Sequence, residues 1–527
     1  MSSPTSAGTT TLVRHILHRD RVRLSIWVLG ITLLVLVTAS SVKGIYPTQA
    51  DLDLAAETAE ANAALIALQG PAYGLDTLGG QVVFNFGAFG FVVVALMGVF
   101  LVGRHTRADE EAGRTELVRA AVVGRNAPVN AVLVVAGAAF AVLGALSALS
   151  LLSQDLPAAG SVAFGLAVAG FGFLFACVTA VLAQTVESAR TTYGLAAAVL
   201  GVSYVLRAIG DVSGGLSWLS PMGWAQGVRA FAGERWWALL LLVGFSGVLI
   251  WTTYTLLAHR DLGAGLLRPR LGPADADPGL ASPLGLAVRL QRWVVVSWVV
   301  GLALAGVSYG SIVTDVGDLI GENSALEDMI AQGTGDLTET FLATTLLSMA
   351  LIGGGFAVSS TLRLRSEETA GHGEVVLATG TSRPRWGASY LVVALAGSAL
   401  VVLAAGLGLG ITYGIAIEDL GQVPRLTGAA LAYLPALWVL VAITFALFGL
   451  APRAMPVAWG ALALFLVIGF LGQLLRLPDW VMDLSPFQHV PSMPAEGFSA
   501  LPLVVLTAVA AGLIGAGMAG FRHRDVG

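Results

Sequence analysis

Runs of about twenty apolar, uncharged residues recur along this chain, separated by short polar or charged segments. A helix needs roughly 20 such residues to cross a hydrocarbon core of about 30 Å, so each run predicts a membrane-spanning helix. The runs lie near 24–42, 82–103, 129–153, 161–183, 191–206 and 236–258, and then near 293–313, 340–362, 388–416, 427–450, 455–475 and 501–521. The expected fold is therefore an all-α polytopic membrane protein with twelve transmembrane helices, six in each half.

A polar, basic stretch of 23 residues precedes the first run. It is long for the basic region of a secretion signal, and the run itself exceeds an ordinary signal core, so a retained helix is expected. A cleaved signal followed by eleven spans is the alternative.

Composition agrees with a membrane location. Of 527 residues, 56% are hydrophobic and 12% charged, with mean hydropathy +0.81, against about 25% charged in soluble domains. The one cysteine, Cys177, lies inside the fourth run, which excludes intrachain disulfides and cysteine zinc sites and points to a small packing residue.

Charge placement predicts orientation. With the N-terminus in the cytoplasm, 22 of the 28 basic residues fall inside, leaving Lys43, Arg207, Arg229, Arg235, Arg425 and Arg476 outside. Acidic residues lean outward, and the loop from Asp315 to Glu339 carries seven acids and no base. Positive charge on the inner side is the known bias of membrane helices, so both termini are expected in the cytoplasm.

One charged sentence occurs twice. RADEEAGRTELVRAA at 107–121 aligns without a gap with RSEETAGHGEVVLAT at 365–379, pairing Arg107, Glu110, Gly113, Glu116 and, further on, Arg125 with Arg365, Glu368, Gly371, Glu374 and Arg383. Trp27 and Gly30 likewise match Trp298 and Gly301; Leu219, Ser220 and Pro221 match Leu484, Ser485 and Pro486; His259, Arg260, Asp261 and Gly263 match His523, Arg524, Asp525 and Gly527. Repetition in the same order with an even number of spans predicts two parallel six-helix repeats, a fused pseudodimer. The boundaries are 1–258 for the first half, 259–292 for a cytoplasmic linker and interfacial helix, and 293–527 for the second half. Leu12, Val13, Ile16 and Leu17, and then Leu284, Ala287 and Val288, recur at helical spacing among basic residues just before the first and seventh spans, which suggests helices lying along the inner leaflet.

The repeated segment predicts an exposed helix with the i, i+4 pairs Arg107–Glu111 and Glu110–Arg114, each worth about 0.2–0.5 kcal/mol. Helix stability does not ask for Gly113 and Gly371, because interior glycine costs roughly 1 kcal/mol relative to alanine. A glycine kept at one place in both copies marks a bend, followed by an apolar strip of Leu117, Val118, Ala121 and Val122, with acids left for a partner.

EEAGRTEL at 110–117, its degenerate copy ETAGHGEV at 368–375, HRDLGAGLLRP at 259–269 and the repeated LSP together resemble the fused twelve-span permeases of type 2 ABC exporters, of the kind that exports polyketide antibiotics and tetronasin-type drugs. The resemblance spans essentially the whole chain. It implies a multidrug efflux permease of the bacterial cell membrane, linked to antibiotic resistance. It implies one permease chain per complex with two copies of a separate ATPase that bind ATP and magnesium beneath it, each taking one cytoplasmic coupling helix, near 107–125 and 365–383. By the same resemblance Glu110, Glu111, Gly113, Glu116, Glu368, Gly371 and Glu374 are the coupling positions. The second copy departs from the first at Thr369, His372 and Gly373, in place of Glu111, Arg114 and Thr115, which calls equal coupling by the two halves into question.

The chain itself carries no enzyme signature. Lys43, in SSVKGIY, is the only lysine, so no GxxxxGK[ST] phosphate loop exists, and none of the seven histidines forms an HExxH or a histidine pair at zinc-binding spacing. No cofactor, metal or nucleic-acid partner is expected for this chain; its partners are the ATPase, membrane lipid and a small hydrophobic substrate.

Residues 213–235, rich in Trp, Gly and Pro, and their counterpart at 477–499 read either as interfacial anchors or as re-entrant outer segments. Tyr204, Arg207 and Asp211 share one face of the fifth span as a headgroup ion pair or a polar rim over the transport path. Phe84, Asn85, Phe86 and Phe89 offer aromatic contacts and one polar handle to an amphipathic substrate. Gly512, Gly515, Gly517 and Gly520 suggest close helix contacts. Two further readings remain beside the exporter of hydrophobic compounds: a twelve-span secondary transporter driven by an ion gradient, for which mid-span acids are lacking, or an exporter of lipid or cell-envelope components. A membrane-embedded assembly or signalling subunit without transport is a last alternative.

Overall fold

The computed structural model describes residues 4–260, 265–266, 275–311, 313, 337–471 and 477–524. The acidic loop from residue 314 to 336, linker residues 264 and 267–274, and Asp261, Gly263, Asp525 and Gly527 lie outside them. The chain divides into two compact units, Met1–Gly272 and Pro273–Gly527.

All regular structure among the described residues is helical. Unit 1 holds six long helices: Thr9–Ile45, Leu78–Gly103, Ala127–Leu152, Ala158–Thr185, Ala189–Ser213 and Trp237–His259. Unit 2 repeats the series with Pro283–Gly310, Leu337–Thr369, Arg383–Ala416, Leu434–Leu450, Val457–Leu471 and Ala500–His523. Eleven of these segments are long and apolar enough to cross a membrane, and Val457–Leu471 is shorter among the described residues. Each run predicted from hydropathy meets one of these helices; the run at 427–450 begins on a preceding helix, Gln422–Leu431, and residues 312 and 472–475 of two others lie outside the described residues.

The packing plan is the same in both units. The first span lies against the third, the second against the fourth, and the sixth against the fourth; in unit 2 the seventh lies against the ninth, the eighth against the tenth, and the twelfth against the tenth. The second and fourth spans of unit 1 are mostly buried, while its first and sixth are mostly exposed. Lipid offers no hydrophobic drive for such packing, so close fit decides it. Rings supply much of the fit: Phe86 meets Phe164 edge-on at 5.2 Å, and Phe91 meets Phe171 at 5.3 Å. Cys177 is fully buried in this core.

Two expectations change. The amphipathic stretches before the first and seventh spans are not separate interfacial helices; Thr9–Ile45 and Pro283–Gly310 each run on as one helix. At 37 residues the first spans about 55 Å, so it overhangs a hydrocarbon core of about 30 Å. Of the four glycines in the last span, Gly517 and Gly520 do lie against the tenth span at Phe445, Ala446 and Gly449, but Gly512 and Gly515 face open space.

The segments that follow the first and the fifth spans of unit 1 fold into a set of short pieces. Two helices, Gln49–Ala61 and Ala63–Gln69, precede the second span, and Pro221–Gln226 follows the fifth. Ser220 caps the latter by accepting from the backbone N–H groups of Met222 and Gly223, with Pro221 at the first helical position. Phe231, held at φ 65°, enters a slot between Gly79 and Gly160; a Cβ on those glycines would come within 2.3 and 2.2 Å of its ring. Trp218 stacks on Trp237 at 5.1 Å.

Candidate coupling site at the charged end of each unit

The repeated sentence folds into a helix, a glycine elbow and a second short helix. In unit 1 the second span continues through a π-helical turn at Arg104–Ala108 and a last turn at Asp109–Glu111, and a new helix starts at Arg114. In unit 2 the eighth span runs to Thr369 and the new helix starts at His372. Gly113 at φ 70° and Gly371 at φ 76° make the break, both left-handed. Nothing lies within 4 Å of where their Cβ atoms would be, so the backbone conformation alone calls for glycine.

Glu110 and Glu368 turn inward. Glu110 accepts from Arg107 at 2.5 Å and from Arg260, just past the sixth span. Glu368 accepts from Arg365 at 2.6 Å and from Arg524, just past the twelfth. Each far arginine also donates to a carbonyl near the end of the fourth or tenth span, Arg260 to Ala183 and Arg524 to Phe448, at 3.0 Å in both. Arg125 donates to the carbonyls of Leu257 and Arg260, and Arg383 to those of Arg522 and Arg524. Helix C-termini carry unpaired carbonyls and partial negative charge, which favours cations there. The result is the same clamp twice: two arginines and a glutamate tie the elbow to the ends of two spans.

A second acid flanks each clamp with its partners exchanged. Asp109 pairs with Arg19 at 3.0 Å and Arg114 at 2.7 Å, and lies 3.6 Å from His105. At the matching positions of unit 2, Glu367 pairs with Arg363 and with His372 at 2.8 Å. Arginine and histidine have traded places across the acid. The expected pairs Arg107–Glu111 and Glu110–Arg114 do not form, because Arg107 goes to Glu110 at i, i+3 and Arg114 goes to Asp109.

The remaining coupling positions divide between the two surfaces. Glu116 and Glu374 are exposed on the short helices, beside Leu117 at 77% and Val375 at 70% exposure. Glu111 accepts from the backbone N–H of Ala189 at the start of the fifth span, whereas Thr369 in its place bonds only to its own helix. Unit 2 has another anchor: buried Trp386 lies over Gly373, 2.8 Å from where a Cβ would sit. Thr115 of unit 1 therefore has no room in unit 2.

The residues expected along a substrate path are split by the fold. Asn85 and Phe89, on either side of the break that Gly87 makes in the second span at φ 47°, are exposed, while Phe84 and Phe86 are buried at 6% and 3% exposure and pack within unit 1. Arg207 is fully buried. It donates to the carbonyls of Ile66 and Leu68, lies 4.7 Å from the Tyr204 ring and pairs with Asp211 at 3.3 Å. The Tyr204 hydroxyl donates to the Leu68 carbonyl as well. Together they bind the end of the short outer helix Ala63–Gln69, which otherwise would leave carbonyls orphaned in an apolar setting.

Arg260, Arg524, Asp109 and Glu367 are the positions around the elbows that the sequence reading left unassigned. Their signal was present: the His-Arg pair at 259–260 and 523–524 recurs at nearly the spacing of the glutamates it meets.

Two helical units of six spans, each with a clamped elbow at one end, define a polytopic membrane permease. Residues 280–522 match the family described as the C-terminal domain of the multidrug efflux system permease Rv1217c. Over 524 residues, 98% of this chain and 95% of the other, the sequence is 45% identical to the multidrug efflux system permease protein Rv1217c of Mycobacterium tuberculosis (strain ATCC 25618 / H37Rv). The chain belongs to this family of multidrug efflux permeases.

Proposed function

We propose that this chain is the permease subunit of an ATP-driven ABC exporter for hydrophobic or amphipathic compounds. Two copies of a separate ATPase, carrying ATP and magnesium, seat on the two elbow helices in the cytoplasm, where both termini also lie. The carrying observation is the division of labour within each repeated segment. One acid is locked inward against the span ends, and the other stands exposed beside an apolar side chain on a short helix.

That arrangement suits force transmission. A partner that moves the helix Arg114–Arg119 or His372–Leu377 pulls on Glu110 or Glu368, and through Arg260 or Arg524 on the ends of the fourth and sixth spans of that unit. A rigid charged clamp passes such a shift on without slack, because removing one member strands a buried charge. The exposed pair Asn85 and Phe89 offers a polar handle and a ring to a passing amphipathic molecule.

The test is co-purification of an ATPase with the tagged permease from its native membrane. Wild type retains ATPase activity in the eluate; Glu116→Arg with Glu374→Arg loses it while the permease stays folded. An eluate with no ATPase activity from wild type removes the ABC reading.

A further inference from the structure

Unit 1 has a groove at its charged end whose lining residues are replaced at the matching positions of unit 2. It lies between the first, second and fifth spans and encloses about 270 Å³. Its floor is aromatic: Trp27 and Phe100 lie 6.2 Å apart, Phe100 and Tyr193 5.8 Å, and Met97 closes one side. Arg23 and Arg104 stand at its polar edge.

Both cations have capacity to spare. Arg23 is exposed, with no hydrogen bond or ion pair among the described residues. Arg104 comes no closer to Asp20 than 3.4 Å, at Nε, while the other oxygen of Asp20 is engaged by His105 at 2.7 Å. The terminal nitrogens of Arg104 make no hydrogen bond among the described residues. At the matching positions of unit 2 stand Gln291, Val294 and Leu362, so the charges are gone. Gly355 stands where unit 1 has Met97, and the Trp298 ring covers it, 2.9 Å from where a Cβ would be. The clamps are kept in both repeats, whereas the charges of this groove belong to unit 1 and the Trp298 ring takes the place of Met97 in unit 2.

We infer that the groove holds one anionic phospholipid of the adjacent leaflet, its phosphate between Arg23 and Arg104 and one acyl chain along Trp27, Phe100 and Met97. Depth favours a lipid. Arg23 immediately precedes the first apolar run and Trp27 lies one turn further in, the order in which arginine and tryptophan meet headgroups and upper chains. The volume falls below that of a pocket that swallows a whole drug-sized ligand, so one chain enters and the rest of the molecule stays in the bilayer. Near an anionic leaflet one basic residue contributes about fivefold in binding.

Native mass spectrometry of the intact detergent-purified permease, titrated with phosphatidylglycerol or phosphatidylcholine, tests this. Wild type retains one phosphatidylglycerol in preference to phosphatidylcholine. Arg23→Gln, which breaks no contact, lowers that preference about fivefold. Phe100→Ala weakens both lipids alike and keeps the preference. Equal retention of the two lipids by wild type, or unchanged preference in Arg23→Gln, overturns the proposal. Displacement of phosphatidylglycerol by inorganic phosphate alone overturns it too, since the site would then bind a free anion without the chain.

Discussion

Glu110 and Arg260 stand 150 positions apart in the chain and share a hydrogen-bonded ion pair; Glu368 and Arg524, 156 positions apart, repeat it in unit 2. The pair closes each unit upon itself, joining the elbow that follows the second span to the residue that follows the last.

Breaking this pair is expected to unfold more than it uncouples. The Glu368 side chain is 2% exposed, and stripping one partner from a buried ion pair costs about 3–5 kcal/mol. Thermal unfolding of purified Glu368→Ala should therefore fall well below wild type, whereas exposed Glu374→Ala stays within about 0.5 kcal/mol. Equal melting of the two variants removes the clamp.

The elbow glycines make a cleaner test of backbone geometry. Alanine at Gly113 or Gly371 meets no neighbour, yet must adopt left-handed φ at a cost of roughly 1–2 kcal/mol. Gly113→Asn should be milder than Gly113→Ala, because asparagine tolerates that region better. The ranking, read by thermal unfolding and by ATPase co-purification, should be Gly, then Asn, then Ala, then Val. A flat ranking contradicts the elbow.

The two elbows should respond differently to mutation. Trp386→Ala empties the fully buried space over Gly373, and truncating a buried tryptophan costs about 3–5 kcal/mol. Gly373→Thr in a Trp386→Ala background should recover part of the loss, since it rebuilds the side chain that unit 1 carries. Limited proteolysis at 370–380 reports the outcome, and no added cleavage in Trp386→Ala argues against this anchor.

At the end of unit 1 away from the elbow, Phe231 and Gly160 should behave as one unit. Gly160→Ala forces a methyl group into the Phe231 ring and should cost about 1–3 kcal/mol by overpacking. In a double-mutant cycle Phe231→Ala should relieve that cost. Additive losses rule the slot out.

Much of the fold was legible because lipid imposes a length and a composition on every helix. Twelve runs of apolar residues announced twelve helices, and the two halves announced themselves by recurring in one order. The glycine elbow was legible for a related reason: only a backbone demand explains a glycine kept in the middle of a charged helix. The site was half legible. Sequence marked Glu110 and Glu116 alike as acids of a repeated motif, and nothing in their spacing separates an acid that faces a partner from one that faces an arginine 150 positions on.

That separation, and the fate of Arg207, belonged to tertiary structure. In water a buried arginine is an anomaly and in sequence it reads as a headgroup anchor, but Ile66 and Leu68 present carbonyls that only a neighbouring donor can satisfy. The same holds for the grooves: Trp27 and Trp298 are equivalent letters, yet one lines an open slot beside Met97 and the other covers Gly355. Sequence by itself determined the membrane helices, their repetition and their breaks, since these follow from local rules of length, hydropathy and backbone freedom. Which charges lock, which stand exposed and which groove stays open depends on what lies across a helix packing distance, and only the fold supplies that.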